Sequence, residues 1–172
     1  MSPQPGTRVR KMSRQDLGMV LTWRNDESVR MNMFSSAPIG VEEHRQWFEQ
    51  TEAEPGRHLL IFEVMGVPVG FVNLAPCDSA GTSRWGFYTA PGAPKGTGRL
   101  LGETALHYAF DLAGIERICG EVVLSNQASI RFHLGLGFHQ LDQHAIRSLG
   151  DGQTAEIVQF WLTKEDFRKA RE

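Results

Sequence analysis

Leu100, Leu101, Thr104, Ala105, Tyr108, Ala109 and Leu112 recur with the period of one helix face. The stripe predicts an amphipathic helix, and Gly114 stands where such a helix ends. Ahead of it, Thr89 to Thr97 is a Gly/Pro loop, and Arg84 to Tyr88 reads as a strand. A strand, a glycine loop and a helix with one apolar face require a layered α/β arrangement, because the stripe must be buried against a sheet.

The flanking segments extend this pattern. Val9 to Met12 reads as a strand and Gln15 to Arg24 as a helix, followed by a helical turn up to Met33. Met31 to Pro38 is irregular but rich in large apolar side chains, and Val41 to Thr51 reads as a helix. His58 to Val64 and Val67 to Leu74 form a hairpin about Met65-Gly66. Arg117 to Leu124 is a strand, and Gln127 to Leu136 is a helix ended by Gly137. Phe138 to Leu149 and Thr154 to Leu162 flank a Gly150-Asp151-Gly152 turn, and Lys164 to Arg171 is a charged helix. With 172 residues, at roughly 100–200 per domain, the expectation is one mixed α/β domain over 8–167 with a loose tail over 1–7.

Composition narrows the function. An apolar share of 41% and a charged share of 22% argue against a disordered chain. A net charge of −2 supplies no general basic field for nucleic acid. Cys77 and Cys119 form no CxxC, and the pair suits buried thiols in a reducing cytoplasm. The six histidines show no HExxH or HxH spacing, so no metal is expected. No apolar run approaches the ~18 residues of a membrane span, and residues 1–7 lack the apolar core of a signal peptide.

Glycine is abundant, at 18 residues, and its use in Gly96-Thr97-Gly98 carries the chemistry. Glycines at a helix start let backbone N–H groups approach an anion, the helix dipole adds to this, and Lys95 supplies a full charge. The bland reading is a loop that needs positive φ. A phosphate-binding GxxxxGK[ST] is absent. Gly96, Gly98 and Gly102, with Glu121 in the next strand, resemble a dinucleotide fingerprint. The long loop with Pro91 and Pro94 opposes that reading, because the dinucleotide turn is tight.

Asn126 to Phe138 resembles the N-x-x-A-x-x-x-Y-x-x-x-G-F helix of the GCN5-related N-acetyltransferases, with His133 in the tyrosine position. Gly96-Thr97-Gly98 resembles that superfamily's pyrophosphate loop, with Ala93 where Gln or Arg is usual. Trp23-Arg24-Asn25, Glu42-Glu43-His44, Trp85 to Tyr88, Ala93 to Gly98, Cys119 to Val122 and Ala128 to His133 resemble one branch of it. That branch is the UDP-4-amino-4,6-dideoxy-N-acetyl-β-L-altrosamine N-acetyltransferases of pseudaminic acid synthesis. Some of these pieces also occur in ribosomal-protein and amino-sugar acetyltransferases.

The resemblance implies a mostly antiparallel, twisted sheet of about seven strands flanked by helices, with two central strands splayed around acetyl-CoA. The cofactor set it implies is Phe87, Tyr88, Thr89, Lys95, Gly96, Thr97, Gly98, Arg99, Asn126, Ser129 and Phe132. The acceptor set is Arg24, Met33, Phe34, His44 and Trp85, with Arg24 as a bidentate diphosphate clamp. Trp23, Trp47 and Trp161 are assigned to core packing. Glu121 is the first base candidate, against a structural ion pair; His44 is the second, against a sugar contact or a solvated helix face. His133 is the candidate acid for the leaving thiolate, against a packing role, with Tyr88 in reserve. The expected partner is an amino-sugar nucleotide, with neither nucleic acid nor membrane, and a homodimer is an open assembly. A peptide N-terminus or a small amine is the alternative acceptor; a non-catalytic coenzyme A sensor is the rival of another class.

Overall fold

The computed structural model describes residues 3–150 and 152–172. Its sheet has eight strands: β1 (Thr7–Lys11), β2 (His58–Val64), β3 (Val67–Pro76), β4 (Thr82–Thr89), β5 (Arg117–Val123), β6 (His139–Gln140), β7 (Ala145–Gly150) and β8 (Gln153–Thr163). The order is β1-β2-β3-β4-β5-β8-β6, with β7 also on β8. Every pairing is antiparallel except β4 with β5. The helices are α1 (Leu17–Asn25), α2 (Glu27–Arg30), α3 (Val41–Glu52), α4 (Thr97–His107), α5 (Gln127–Gly135) and α6 (Lys164–Lys169).

β2 shows why the sheet needs helices on both faces. Leu59 and Ile61 point into a core with Val20 of α1 and Phe48 of α3. Leu60 and Phe62, one residue out of phase, point into the other core with Leu101, Ala105 and Leu106 of α4 and Phe167 of α6. The stripe from Leu100 to Ala109 thus meets the sheet as its period requires, but Leu112, expected on the same face, is exposed. Its last turn widens into a π turn, Tyr108–Leu112, in which Ala113 N–H reaches Tyr108 O at 2.9 Å.

The expected mostly antiparallel sheet with flanking helices is what forms, with several corrections. Thr7, read as tail, opens β1, and Gly6 O accepts from Met65 N–H at 2.7 Å, so residues 6 and 7 are tied to the β2–β3 turn. Met1 and Ser2 of the expected tail lie outside the described residues, as does Asp151 of the hairpin turn. The helix expected from Gln15 begins as a single tight turn, Arg14–Asp16, because the Asp16 carboxylate accepts from Ser13 N–H and caps it. The strand expected over 138–149 is interrupted: β6 and β7 are separate pieces on β8. Both cysteines are half-buried rather than buried. Trp161 is also half-buried, stacked on His139 and covered by the Arg117 guanidinium.

The feature that creates the site is the β4–β5 junction. These strands pair only at Thr82–Arg117, Ser83–Ile118 and Arg84–Cys119. Beyond them β4 stays on β3 as far as Thr89–Gly70, and β5 stays on β8 as far as Val123–Ile157. The gap leaves a main-chain edge of β4 without a sheet partner, an edge that seeks hydrogen bonds elsewhere.

Candidate active site

A cavity of about 710 Å³ opens from this gap. One side is β4 from Trp85 to Thr89, and the other is Glu121 to Val123 of β5 with Asn126, Ala128, Ser129, Phe132 and His133 around α5. Gly98 of α4 closes one end. Arg24, Ser28, Val29, Asn32, Met33, Phe34 and Ile39 close the other, with Glu43, His44 and Trp47 of α3 and Phe71 and Asn73 of β3. Of the residues expected to bind, all but Lys95, Gly96, Thr97 and Arg99 line one space.

Those four form the entrance to α4. Gly96 takes φ 92°, which places the next amides at the helix start. Thr97 is spent on capping: its N–H and hydroxyl both donate to Pro94 O, at 3.1 and 2.6 Å. Among the described residues no backbone carbonyl accepts from the N–H groups of Gly98 or Arg99. Two free amides, the positive end of α4, and exposed Lys95 and Arg99 beside them make an anion cradle. Thr97 contributes shape rather than a donor.

The acceptor end is held by the Trp23-Arg24-Asn25 segment, which ties down the irregular 31–40 loop. Asn25 donates to Ile39 O and accepts from Ile39 N–H, at 2.8 and 2.7 Å. Arg24 Nη2 donates to Ser35 O at 2.9 Å, and Arg30 Nη1 to Ser36 O at 3.0 Å. Met33 and Phe34 are thereby set against the cavity. Arg24 therefore has one nitrogen, Nη2, engaged on the main chain, so part of the expected diphosphate clamp is spent on holding the loop. Its Nη1 is buried without a partner among the described residues.

His44 is only 5% exposed, and its Nε2 is likewise buried without a partner among the described residues. Burial pushes the imidazole below its ordinary value, against an opposing effect of the Leu17 backbone carbonyl. The expectation of a solvated helix face fails here, because α1 covers this side of α3. The ring stacks on Trp47 at 5.3 Å. Trp47, assigned to the core from sequence, is half-buried on the cavity wall.

His133 is 2% exposed, and both its nitrogens are engaged. Its Nδ1 faces Ser129 O at 2.8 Å, and Trp85 Nε1–H donates to its Nε2 at 3.1 Å. Burial holds it down at about 4. A neutral ring accepting from tryptophan has no proton to give a thiolate, so the geometry favours packing over the expected acid role. Trp85 itself is buried and faces His133 rather than an acceptor. Tyr88, raised by burial, keeps its phenol proton at the junction of the two halves of the cavity.

The Glu121 side chain is 8% exposed, and both carboxylate oxygens are occupied. Arg84 Nε reaches Oε1 at 3.1 Å, and Arg147 reaches Oε2 at 3.0 Å. That is the ion-pair reading, and it leaves the carboxylate poorly placed to take a proton. Asn126 caps α5 by accepting from Ser129 N–H at 3.2 Å. Among the described residues no cluster of His, Cys, Asp or Glu is placed to hold a metal. No described helix is long and apolar enough to cross a membrane.

The acetyltransferase (GNAT) domain model matches residues 7–139. The chain belongs to that family. This GNAT chain is thus an acetyl-CoA-dependent N-acetyltransferase. No curated protein matches it in sequence. Solved structures share the fold at low identity. The spermidine N-acetyltransferase from Vibrio cholerae, in complex with CoA and spermine, superposes with TM-score 0.83 at 16% identity, over 95% of this chain and 98% of that one. AAC(6')-Ib in complex with ribostamycin and coenzyme A gives 0.81 at 19%, over 97% and 98%. The putative acetyltransferase yncA from Salmonella typhimurium, with acetyl-CoA, gives 0.70 at 20%, over 92% and 94%.

The acetyltransferase's own residues fit acetyl-CoA. The Gly98 and Arg99 amides with Lys95 suit a pyrophosphate, and the unpaired β4 edge suits an amide-rich arm. Asn126 and Ser129, found by motif, line the inner end. Trp47, Phe71 and Asn73 were missed, because one-sided burial in a helix or strand reads as core unless the neighbouring surface is known to be a cavity.

Proposed function

We propose that this N-acetyltransferase acts on a small primary amine, bound between Arg24, His44 and Phe71 and facing the β4–β5 gap. The observation that carries the reading is the charge of the cavity. Among the described lining residues Arg24 is the one Lys or Arg, against Glu43, while Glu121 is already paired with Arg84 and Arg147. A UDP-sugar brings a diphosphate, which needs several donors and cations. The cavity volume is that of one drug-sized ligand, and the pantetheine end must share it. The structural neighbours named with spermine and ribostamycin also bind amines. The pseudaminic-type UDP-sugar acceptor is therefore the weaker reading.

Acetyl-CoA, when bound, supplies an activated acetyl thioester. Around it the chain's residues do the remaining work. Gly98, Arg99 and Lys95 anchor one end, and the β4 edge near Phe87 and Tyr88 fixes the other. Holding amine and thioester together removes much of the entropic barrier. A free β4 N–H at this edge stabilises negative charge on the carbonyl oxygen. The His44 imidazole, held neutral and with its Nε2 without a partner among the described residues, takes the proton from the amine. As the C–N bond forms and the C–S bond breaks, the protonated Tyr88 phenol donates a hydrogen bond to the leaving sulfur, which takes its proton from solvent.

The test is a thiol-release assay with acetyl-CoA and three acceptor classes: small primary amines, UDP-amino sugars and peptides with free N-termini. Release with small amines is expected. Release with UDP-amino sugars or peptides alone sinks the proposal.

A further inference from the structure

The acceptor end holds a half-buried cation with no counter-charge among the described residues. Arg24 Nη1 is buried and unpartnered among the described residues, while Nη2 is committed to Ser35 O. No carboxylate of the described residues forms an ion pair with Arg24. Both oxygens of Glu121 are taken by Arg84 and Arg147. Glu43 lies exposed at the rim. The Tyr88 phenol faces the guanidinium but stays uncharged, since burial raises it. A partly desolvated charge without a counter-ion is unfavourable, and a cavity wall that carries one suits an anion.

The remaining walls are aromatic. Trp47 meets Phe71 at 6.1 Å, and Phe71 meets Tyr88 at 5.2 Å. His44 stacks on Trp47, its Nε2 buried and without a partner among the described residues. The arrangement asks for an apolar body, an anionic oxygen at Arg24 and a nitrogen at His44. A polyamine would place a second ammonium near Arg24 at low dielectric, where like charges repel strongly. A single guanidinium, with no other Lys or Arg among the described lining residues, suits a singly charged carboxylate better than a phosphate, which draws on several cations.

We propose that the acceptor is a primary amine that carries a carboxylate on an apolar body, an amino acid being the simplest case, with the carboxylate on the Arg24 guanidinium. This rests on the small-amine reading above and adds the acceptor's charge and shape.

The test uses matched compounds on the full chain. Phenylalanine, methionine and leucine are compared with their amides, their decarboxylated amines and their aminophosphonates, with spermidine as a further arm. Thiol release gives kcat/KM, and calorimetry with coenzyme A present gives binding without turnover. The acids are expected to exceed the decarboxylated amines by about tenfold or more in both readouts, since a site with a buried polar group rejects ligands lacking its partner. R24Q should reduce that preference to within about twofold, and R24K should retain part of it. If R24Q does not fold, the ligand series and R24K carry the test.

Equal or better use of the decarboxylated amines, or of spermidine, overturns the proposal. So does an R24Q variant that weakens acid and amine equally, which would leave Arg24 holding only the 31–40 loop. Preference for the phosphonates overturns the carboxylate assignment, and so does a series in which no acid binds. Acids that bind preferentially without thiol release would overturn the transfer reading and uphold this one. Amines acetylated without regard to the carboxylate would do the reverse.

Discussion

Trp85 Nε1 donates to His133 Nε2 at 3.1 Å, across 48 positions of sequence, and joins β4 to α5 beneath the cavity. The ring pair is packed against Phe87, Phe132, Phe138 and Phe160. It also explains Gly120. A Cβ there would stand 2.8 Å from His133 Nε2 and 3.0 Å from Trp85 Nε1. Gly120→Ala should therefore cost about 1–3 kcal/mol by overpacking. His133→Ala should cost about 3 kcal/mol through the cavity and the orphaned indole N–H. Urea unfolding measures both, and unchanged midpoints would remove the pair from the account of stability.

The same histidine makes stability depend on pH. Its folded-state value, about 4, lies below the ordinary 6.5. Between these values the unfolded chain binds the extra proton, so stability rises with pH there. The contribution is full above about 6.5 and is lost as pH falls toward 4. The described groups against the ring are aromatic, the Ser129 carbonyl and Trp85 N–H, with no charge among them. From pH 7 to 5 the loss should be about 2 kcal/mol. His133→Phe should flatten that slope, and a variant with the parent's slope would contradict the assignment.

His44 and Glu121 separate by mutation. If His44 takes the amine proton, His44→Gln should lower kcat about 100-fold or more, with the KM for acetyl-CoA little changed. Glu121→Gln should lower it less than about tenfold, since its oxygens serve Arg84 and Arg147 rather than substrate. The rate should also fall below the depressed value of His44 as the ring gains a proton. Arg24, Glu43, Tyr88, Glu121 and His133, which line the same cavity, are the titratable neighbours to control for. Steady-state kinetics against pH decides, and the reverse ranking of the two variants would restore Glu121 as base.

The cradle has its own signature. Lys95→Ala should raise the KM for acetyl-CoA about three- to tenfold, more at low salt, and leave the acceptor KM unchanged. Gly96→Ala forces a side chain into φ 92° and should cost about 1 kcal/mol or more. A Cβ on Gly98 meets only Phe132, at 4.0 Å, so Gly98→Ala should fold normally and act on cofactor binding alone. Calorimetry with coenzyme A reads this directly. A Lys95→Ala variant with parental affinity would place the pyrophosphate elsewhere.

Much of this was legible along the chain, and the reason is locality. The stripe from Leu100 to Ala109, the Met65-Gly66 turn and the glycine loop are short-range patterns with one physical solution. The site was legible as a set of residues because two motifs flank the β4–β5 gap. Their roles were less legible. His133 has the sequence appearance of an acid, and only its partnership with Trp85 shows that it has no proton to give. Glu121 has the appearance of a base until Arg147, brought over by β7, closes on it. Trp47 has the appearance of core because its exposed edge faces a cavity closed by a loop that Arg24, Asn25 and Arg30 hold from a distance in sequence.

The three residue pairs between β4 and β5 have a mechanical consequence. Strands β1 to β4, with α1 to α3, carry the acceptor end. Strands β5 to β8, with α5, carry the wall against which the thiol end lies. Within the sheet these two blades meet only at a short parallel seam, so anything seated in the gap is a strut between them. Occupancy therefore stiffens the blades against each other and brings their two contributions to the chemistry into register.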